Sequence, residues 1–212
     1  MNKKLKIALS VIGGVVIVLL VTRYALFKTW TLPEEGWLAA SVAPTLWGGD
    51  TVLLLTVGTP SRGDLVRCDD PDNPGDWVVG RIVGMPGDVV ELSGPTLRID
   101  GTRYDSKEAC KEPYFTIRHP DSGSELTLQC SRVEFGPGWH FYGVPKKHKR
   151  SDDKKKNVGE GNLFLLSDNR SVHEDSRDFG PLPVESCTER IVFRLWGIDG
   201  WADSSRRMDY IR

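Results

Sequence analysis

The stretch from Trp77 to Leu92, WVVGRIVGMPGDVVEL, decides the fold class of this chain. It opens with a run rich in β-branched residues, Trp77–Val83, and closes with a second apolar run, Val89–Leu92. Between them stand Pro86, Gly87 and Asp88. β-branched residues favour extended strands, whereas Pro, Gly and Asp favour turns. The stretch therefore predicts two strands joined by a short connection.

The same alternation of short apolar runs with Gly, Pro and Asp continues along the chain. Further predicted strands are Thr51–Val57, Asp64–Arg67, Leu97–Ile99, Thr127–Cys130, Trp139–Val144, Leu163–Leu166 and Glu189–Trp196. No segment after residue 30 has a sustained helical period. We therefore expect a mainly β fold, with a twisted antiparallel or barrel-like domain.

Residues 102–160 differ from this pattern, because they are polar and charged and show no strong core pattern. We interpret them as an inserted segment. Within it, Lys146–Lys156 carries seven Lys or Arg residues. The simplest interpretation is a solvated, mobile loop; the alternative is a patch attracted to anionic lipid headgroups.

The N-terminal residues have the composition of a membrane anchor. Three lysines among the first six residues precede Ile7–Thr22, which carries no charge, and the apolar run continues to Phe27 beyond Arg23. This length is near the ~20 residues that cross a bilayer. A cleaved signal peptide is the alternative, but no A-x-A site follows the run. We predict an anchor in residues 1–28 with a cytoplasmic N-terminus. Residues 29–212 would then form an extracytoplasmic domain.

Charge and cysteine content limit the partners and cofactors. The formal net charge of −1 gives no global field that would draw the protein to nucleic acid, so we expect none as partner. The four cysteines, Cys68, Cys110, Cys130 and Cys187, permit two disulfides or four buried thiols. Cys110–Cys130 is the first pairing we expect, because these two bracket one segment. Without a C-x-x-C pair, zinc is not expected. No other cofactor is expected either.

Four short blocks carry the candidate chemistry. They are Ser41–Leu46 with Gly49–Asp50, then Arg62–Val66, then Gly80–Asp88, and finally Ser167–Arg170 with Asp175–Arg177 and Gly180. Each block alone is a weak signal. Together, their order, their spacing and their position after the anchor resemble the type I signal peptidases, also called leader peptidases. The resemblance covers about Lys3 to Trp196, except the inserted segment.

This resemblance implies a membrane-bound serine endopeptidase that cleaves signal peptides from exported preproteins at the bilayer surface. Ser41 matches the nucleophile, and a serine hydroxyl needs an adjacent base. The alternative for Ser41 is that it merely caps a turn. The resemblance also implies a signal-peptidase-type β domain that works alone or in a secretion complex, with preprotein signal peptides and the lipid bilayer as partners.

The departures from the family's pattern concern the base and the oxyanion. The family's base is a lysine that precedes an arginine in the third block, where this chain has Gly80–Arg81. Arg81 cannot replace it, because a guanidinium stays protonated. Ala39 stands where the family often has a hydroxyl that stabilises the oxyanion. Backbone N–H groups are then the remaining donors.

His173 offers a substitute base. It stands where the family commonly has a serine that orients the lysine. Histidine is the usual partner of a catalytic serine, and Glu174 or Asp175 would orient its ring. The hypothesis is that a Ser41–His173 dyad replaces the serine–lysine dyad. The alternative is that His173 is an ordinary exposed loop residue.

The remaining residues of the blocks are expected to support the site through hydrogen bonds and ion pairs, with Asp175 paired to Arg177 or Arg81. They are Arg81, Asp168, Asn169, Arg170, Asp175 and Arg177. Three functions stay open. The first is an active signal peptidase with His173 or an unrecognised lysine as base, and the second is a processing protease dedicated to one local substrate. The third is an inactive relative that binds signal-peptide-like segments at a sheet edge, as an accessory subunit or chaperone.

Overall fold

The chain begins with a long apolar helix. The computed structural model describes residues 3–146 and 154–211, and its first element is α1, Lys3–Leu26. Within this helix, Leu9–Leu26 is long and apolar enough to cross a membrane. No residue of Leu9–Leu26 is buried inside the protein; Val18 and Leu19, for example, are each 63% exposed. Such exposure is unfavourable in water, so α1 has the character predicted for an anchor.

Strands dominate the residues after α1, as predicted. They are β1 Phe27–Thr31, β2 Thr51–Leu55, β3 Leu65–Asp69, β4 Trp77–Gly84, β5 Val89–Ser93, β6 Thr96–Ile99, β7 Thr102–Tyr104, β8 Ser106–Arg118, β9 Glu125–Phe135, β10 Gly138–Pro145, β11 Lys154–Asn157, β12 Asn162–Leu166, β13 Leu182–Pro183, β14 Glu189–Trp196 and β15 Asp209–Tyr210. A five-residue helix, α2, Trp37–Ser41, lies between β1 and β2. The mainly β, antiparallel fold is confirmed.

The main sheet brings the sequence blocks together. Its strand order is β1-β2-β14-β3-β4-β12-β13, with β15 added beside β14, and the strands pair antiparallel. β4 lies between β3 and β12, so Arg81 pairs with Leu65 on one side and with Leu166 on the other. The second, third and fourth blocks are therefore neighbours. Alternate residues of β4 enter two separate apolar clusters, one containing Val79 and the other Val78 and Ile82.

Residues 102–160 contain more strand than their polar composition indicated. The two strands predicted within them, Thr127–Cys130 and Trp139–Val144, lie in β9 and β10. β8, β9 and β10 form a three-stranded sheet, and β11 joins β5, β6 and β7 in another. That the segment is an insertion remains a prediction. Leu128, Val133 and Phe135 of β9 are buried. Polar residues alternate with them, which lowers the average apolarity although one face of the strand is a core face. In the basic stretch, residues 147–153 lie outside the described residues.

Both disulfides permitted by the cysteine count are present. Cys110 of β8 is bonded to Cys130 of β9, as expected. Cys68 of β3 is bonded to Cys187, which precedes β14. Cys68 and Cys187 are fully buried in the apolar cluster that also contains Ile82 and Leu165. The second disulfide therefore joins β3, the neighbour of β4, to the residues that lead into β14.

Candidate active site

Ser41 is the last residue of α2, and its side chain is engaged by the helix itself. The residue is 1% exposed. Its Oγ donates a hydrogen bond to the carbonyl oxygen of Leu38 at 2.9 Å. Because this bond occupies the hydroxyl proton, the O–H group must turn away from the Leu38 carbonyl before a base can accept that proton. Ala39 and Ala40, the two preceding residues, carry only methyl groups and are themselves buried.

Asn169 fixes the backbone that carries Ser41. Its backbone N–H donates to the carbonyl oxygen of Ser41, and its side-chain amide donates to the carbonyl oxygen of Ala40, both at 2.9 Å. The Asn169 Oδ1 atom accepts the backbone N–H groups of Ser171 and Val172, both at 3.0 Å. One fully buried side chain thus holds the 169–172 turn against α2. The first and fourth sequence blocks meet here.

Arg81 and Asp168 form a buried ion pair beneath this junction. Arg81 Nε donates to Asp168 Oδ1 at 3.0 Å, and Arg81 Nη2 donates to Asp168 Oδ2 at 2.8 Å. Thr45 of the first block donates to Asp168 Oδ2 at 2.6 Å, and Arg81 also donates to the carbonyl oxygen of Gly63. Burial by itself would raise the pKa of Asp168, but the Arg81 guanidinium outweighs it and the pKa is lowered. The pair therefore stays ionised and links all four blocks.

Asp175 is held by Arg177, whereas Arg81 is paired with Asp168. Arg177 Nη2 donates to Asp175 Oδ2 at 2.7 Å, and the same oxygen accepts the backbone N–H of Ser167 at 2.7 Å. Burial alone would raise the pKa of Asp175, but Arg177 outweighs it and holds the pKa at about 2. Of the two expected partners, Arg177 is confirmed. Both carboxylate oxygens of Asp175 accept hydrogen bonds, so this side chain stabilises the turn.

Arg170 contributes to the same support from the other side of the turn. Its backbone N–H donates to the carbonyl oxygen of Gly143 on β10, and its guanidinium lies over the Tyr142 ring at 5.4 Å. Burial, followed by the charge of Arg177, lowers its pKa to about 10. Arg170 thus remains a cation at neutral pH and ties the turn to β10.

His173 lies just beyond this clamped turn. Its neighbour Val172 packs against Ala40 and Ala43, the residues that flank Ser41 and Val42. The His173 Nδ1 atom is 2.7 Å from Asp178 Oδ2, and the side chain is 27% exposed. Within the described part of the chain, no hydrogen bond joins His173 to Ser41. The predicted orienting residues, Glu174 and Asp175, do not make this contact, and Asp178 does.

Asp178 was not predicted from the sequence. It lies outside the expected positions, and the only available signal was a carboxylate five residues after a histidine. The backbone between them folds into a turn, in which the N–H groups of Asp178 and Phe179 both donate to the carbonyl oxygen of Asp175. This turn brings the two side chains together.

Gly80 faces β12 at close range. A β-carbon at this position would lie 3.0 Å from Leu165 Cβ and 3.5 Å from the Leu166 nitrogen. The neighbouring strand therefore approaches too closely for a side chain to fit without adjustment. Ser167 follows on β12's C-terminal side; it is fully buried, and its hydroxyl has no hydrogen-bond partner among the described residues.

Two other histidines differ from His173. His140 is buried beside the Arg81–Asp168 pair, with its Nε2 atom 3.8 Å from Asp168 Oδ1. Burial, followed by the charge of Arg81, lowers its pKa well below the usual 6.5, so it is neutral. His119 contacts Trp37 of α2 edge to face at 5.6 Å. Both contact other side chains, and among the described residues neither is hydrogen-bonded to Ser41.

A cleft of about 310 Å³ runs beside α2. Its lining includes Gly36, Ala39, Ala40, Trp47 and residues 116–120 of the β8–β9 hairpin. Trp37 donates to Asp121 Oδ1 at 3.1 Å across this hairpin. The segment expected to be an insertion thus contributes to the surface next to Ser41.

One group of side chains in the described ranges has the spacing of a cation site. Ligand atoms of His173, Asp175 and Asp178 lie within 4.8 Å of one another. However, Arg177 already neutralises Asp175, and Asp178 already contacts the histidine ring. A cation would have to displace both interactions, so the donor set fits a hydrogen-bonded cluster better than a metal site.

Similarity to known proteins covers most of the chain. A family model described as signal peptidase, peptidase S26, matches residues 5–196. The chain is 30% identical over 168 residues to signal peptidase I of Streptococcus pneumoniae, covering 74% of this chain and 79% of that protein. It is 28% identical to signal peptidase IB of Staphylococcus aureus strain COL, covering 74% and 73%. A crystal structure of a signal peptidase I from Enterococcus faecalis V583 aligns with TM-score 0.38 and 22% identity, over 64% of this chain and 98% of that chain.

Proposed function

The chain belongs to the signal peptidase family, peptidase S26, and we propose that it is a membrane-anchored serine endopeptidase that cleaves signal peptides from exported preproteins. In this proposal Ser41 is the nucleophile and His173 the general base. The observation that carries it is the clamp of Asn169 on the backbone of Ala40 and Ser41, since that clamp fixes the serine relative to the turn that presents His173.

The proposed reaction follows from the residue types. Once Ser41 Oγ leaves the Leu38 carbonyl, it attacks the carbonyl carbon of the scissile bond while His173 accepts its proton. The C–N bond then breaks, and His173 returns this proton to the leaving amine. Water attacks the resulting ester and gives a proton to His173. That proton passes to Ser41 Oγ as the ester bond breaks, which releases the acid.

Backbone N–H groups would stabilise the oxyanion, since Ala39 offers no hydroxyl. The small side chains of Ala39 and Ala40 support a preference for small substrate residues near the cleaved bond. Strand β1 begins at Phe27, directly after α1 ends at Leu26. This direct connection supports a reaction at the bilayer surface, and the N-terminal lysines support a domain on the extracytoplasmic side.

Nothing in the relatives' names favours an inactive accessory protein, since they are signal peptidases. The retained hydroxyl of Ser41 also supports activity, because binding alone does not require it. Whether the substrate range is broad or limited to one local preprotein depends on the cleft beside α2.

Cleavage of a preprotein by the full chain in lipid vesicles tests the proposal. Wild type is compared with Ser41→Ala and with Ser93→Ala, which removes an exposed hydroxyl at the end of β5. We expect cleavage by wild type and Ser93→Ala and background turnover by Ser41→Ala. Background turnover by all three proteins would overturn the proposed function.

A further inference from the structure

The ring of His173 has a fixed partner that the sequence blocks did not identify. Asp178 Oδ2 lies 2.7 Å from His173 Nδ1 and also accepts the backbone N–H of Asp175 at 3.2 Å. We infer that Asp178 is the positioning residue of the base: it holds the proton on Nδ1 and leaves Nε2 free to accept the proton of Ser41. This inference rests on the proposed function.

The acceptor chemistry of a carboxylate determines the tautomer. An ionised carboxylate can only accept hydrogen bonds, so its contact with Nδ1 requires a proton on that nitrogen. A neutral imidazole carries one ring proton, so Nε2 then has a free lone pair. A general base needs this lone pair on the nitrogen that faces the nucleophile. Asp178 thus selects the competent tautomer.

The other nearby carboxylates do not make this contact. The Asp175 carboxylate is bound by Arg177 and by the Ser167 N–H. Glu174 makes no side-chain hydrogen bond among the described residues. Burial, followed by the charges of Asp70, Asp178 and Asp76, raises the pKa of Glu174. Asp175 lies close enough for the charge of His173 to act on its pKa, but among the described residues Asp178 is the carboxylate that is hydrogen-bonded to the His173 ring.

The turn that carries Asp178 is anchored to the main sheet. The Asp178 N–H donates to the carbonyl oxygen of Asp175 at 2.8 Å. Ser176, in the same turn, accepts the backbone N–H of Leu165 on β12 through its Oγ at 2.9 Å. Asp178 is therefore held in place although its side chain is 44% exposed. His173 is held from the other side by Val172 and Asn169. Both members of the pair have rigid supports.

Replacing Asp178 by Asn tests whether Asp178 orients the His173 ring for catalysis or only stabilises the turn. The matched control is Asp76→Asn, which removes a negative charge that acts on the neighbouring Glu174; Asp76 is exposed, and among the described residues it makes no hydrogen bond to His173. We expect Asp178→Asn to lower kcat by about 10²–10⁴-fold with KM little changed. Asp76→Asn should stay within about threefold of wild type. Asp178→Glu, which keeps the acceptor, should recover part of the lost rate.

Nitrogen-15 NMR of the full chain with labelled histidine reads the tautomer directly. We expect the proton on Nδ1 of His173 in wild type and in Asp76→Asn, and loss of this preference in Asp178→Asn. Unchanged kcat in Asp178→Asn, or an Nε2–H tautomer in wild type, would overturn the inference. An inactive wild type would contradict the proposed function, and with it the catalytic part of the inference, whereas the NMR result would still decide whether Asp178 sets the tautomer.

Discussion

The backbone N–H of Asn169 donates a hydrogen bond to the carbonyl oxygen of Ser41 at 2.9 Å, across 128 positions of sequence. The side chain of the same residue binds Ala40 and closes its own turn. The position of the candidate nucleophile is thus determined by the fourth block as much as by its own helix. The unfolding measurements use the full chain, solubilised in detergent.

Asn169→Ala should strongly destabilise the domain. The substitution removes three side-chain hydrogen bonds and leaves the N–H group of Val172 and the carbonyl of Ala40 buried without their partner. Unsatisfied buried groups cost about 1–3 kcal/mol each, so we expect a loss of about 2–4 kcal/mol in the free energy of unfolding, measured with urea. Asn157→Ala, at an exposed position on β11, should change it by less than about 0.5 kcal/mol. Equal effects of the two substitutions would contradict the clamp.

Arg81→Met should cost about 3–5 kcal/mol, because it leaves the Asp168 carboxylate buried without its cation. Arg98→Met on β6 is the control, since that arginine is exposed and should be nearly neutral. Both are compared by denaturant unfolding at neutral pH. A loss below about 1 kcal/mol for Arg81→Met would mean that the buried pair does not hold the blocks together.

Acid should weaken the domain through Asp175. Its pKa is held at about 2 in the folded protein, against an ordinary value of 3.8. A carboxyl whose folded pKa is depressed stabilises the fold above its unfolded pKa and loses this contribution as the pH falls to the folded pKa. We expect a decline on the order of 2 kcal/mol between pH 5 and about 2. Asp168, whose pKa is also lowered, adds to the decline in the same direction.

Arg177→Gln isolates the contribution of Asp175, because Arg177 is the cation that lowers its pKa. This variant should be less stable at pH 7 and lose less stability on acidification than wild type. Urea unfolding at several pH values measures both. Parallel pH profiles for the two proteins would show that the ion pair does not stabilise the fold.

The disulfide between Cys68 and Cys187 should contribute more stability than the one between Cys110 and Cys130. The first closes a loop with a sequence separation of 119, the second one of 20. Loop-closure entropy predicts about 5 and about 3 kcal/mol, respectively. Double alanine variants at each pair, compared by unfolding under non-reducing conditions, measure the difference. A larger loss for the Cys110–Cys130 variant would contradict this order.

The fold was largely predictable, because its strands are short β-branched runs bounded by Gly, Pro and Asp, as in Trp77–Leu92. Within the inserted segment, only parts of β9 and β10 were predicted, since on β9 buried Leu128 and Val133 alternate with polar residues. The helix α2 is too short to show a helical period. The average apolarity of a segment combines both faces of a strand, whereas in the folded protein only one face is buried.

The candidate site was predictable where partners lie close in sequence, as with Asp175 and Arg177. Long-range contacts were not predictable: Asp168 with Thr45, and Asn169 with Ala40, join segments that only the sheet brings together. Asp178 was missed because its role depends on a turn that reverses the chain between residues 173 and 178. The direction of the His173 side chain, and not its position in the sequence, determines which carboxylate its ring contacts.

Cleavage of a preprotein by His173→Ala measures directly whether His173 is the base. Ser93→Ala is the control, because it removes an exposed hydroxyl at the end of β5, outside the cleft beside α2. We expect His173→Ala to lower kcat by about 10²–10⁴-fold while the protein remains folded, and Ser93→Ala to retain most of the wild-type rate. If Ser41→Ala abolishes cleavage but His173→Ala keeps the wild-type kcat, His173 is not the general base.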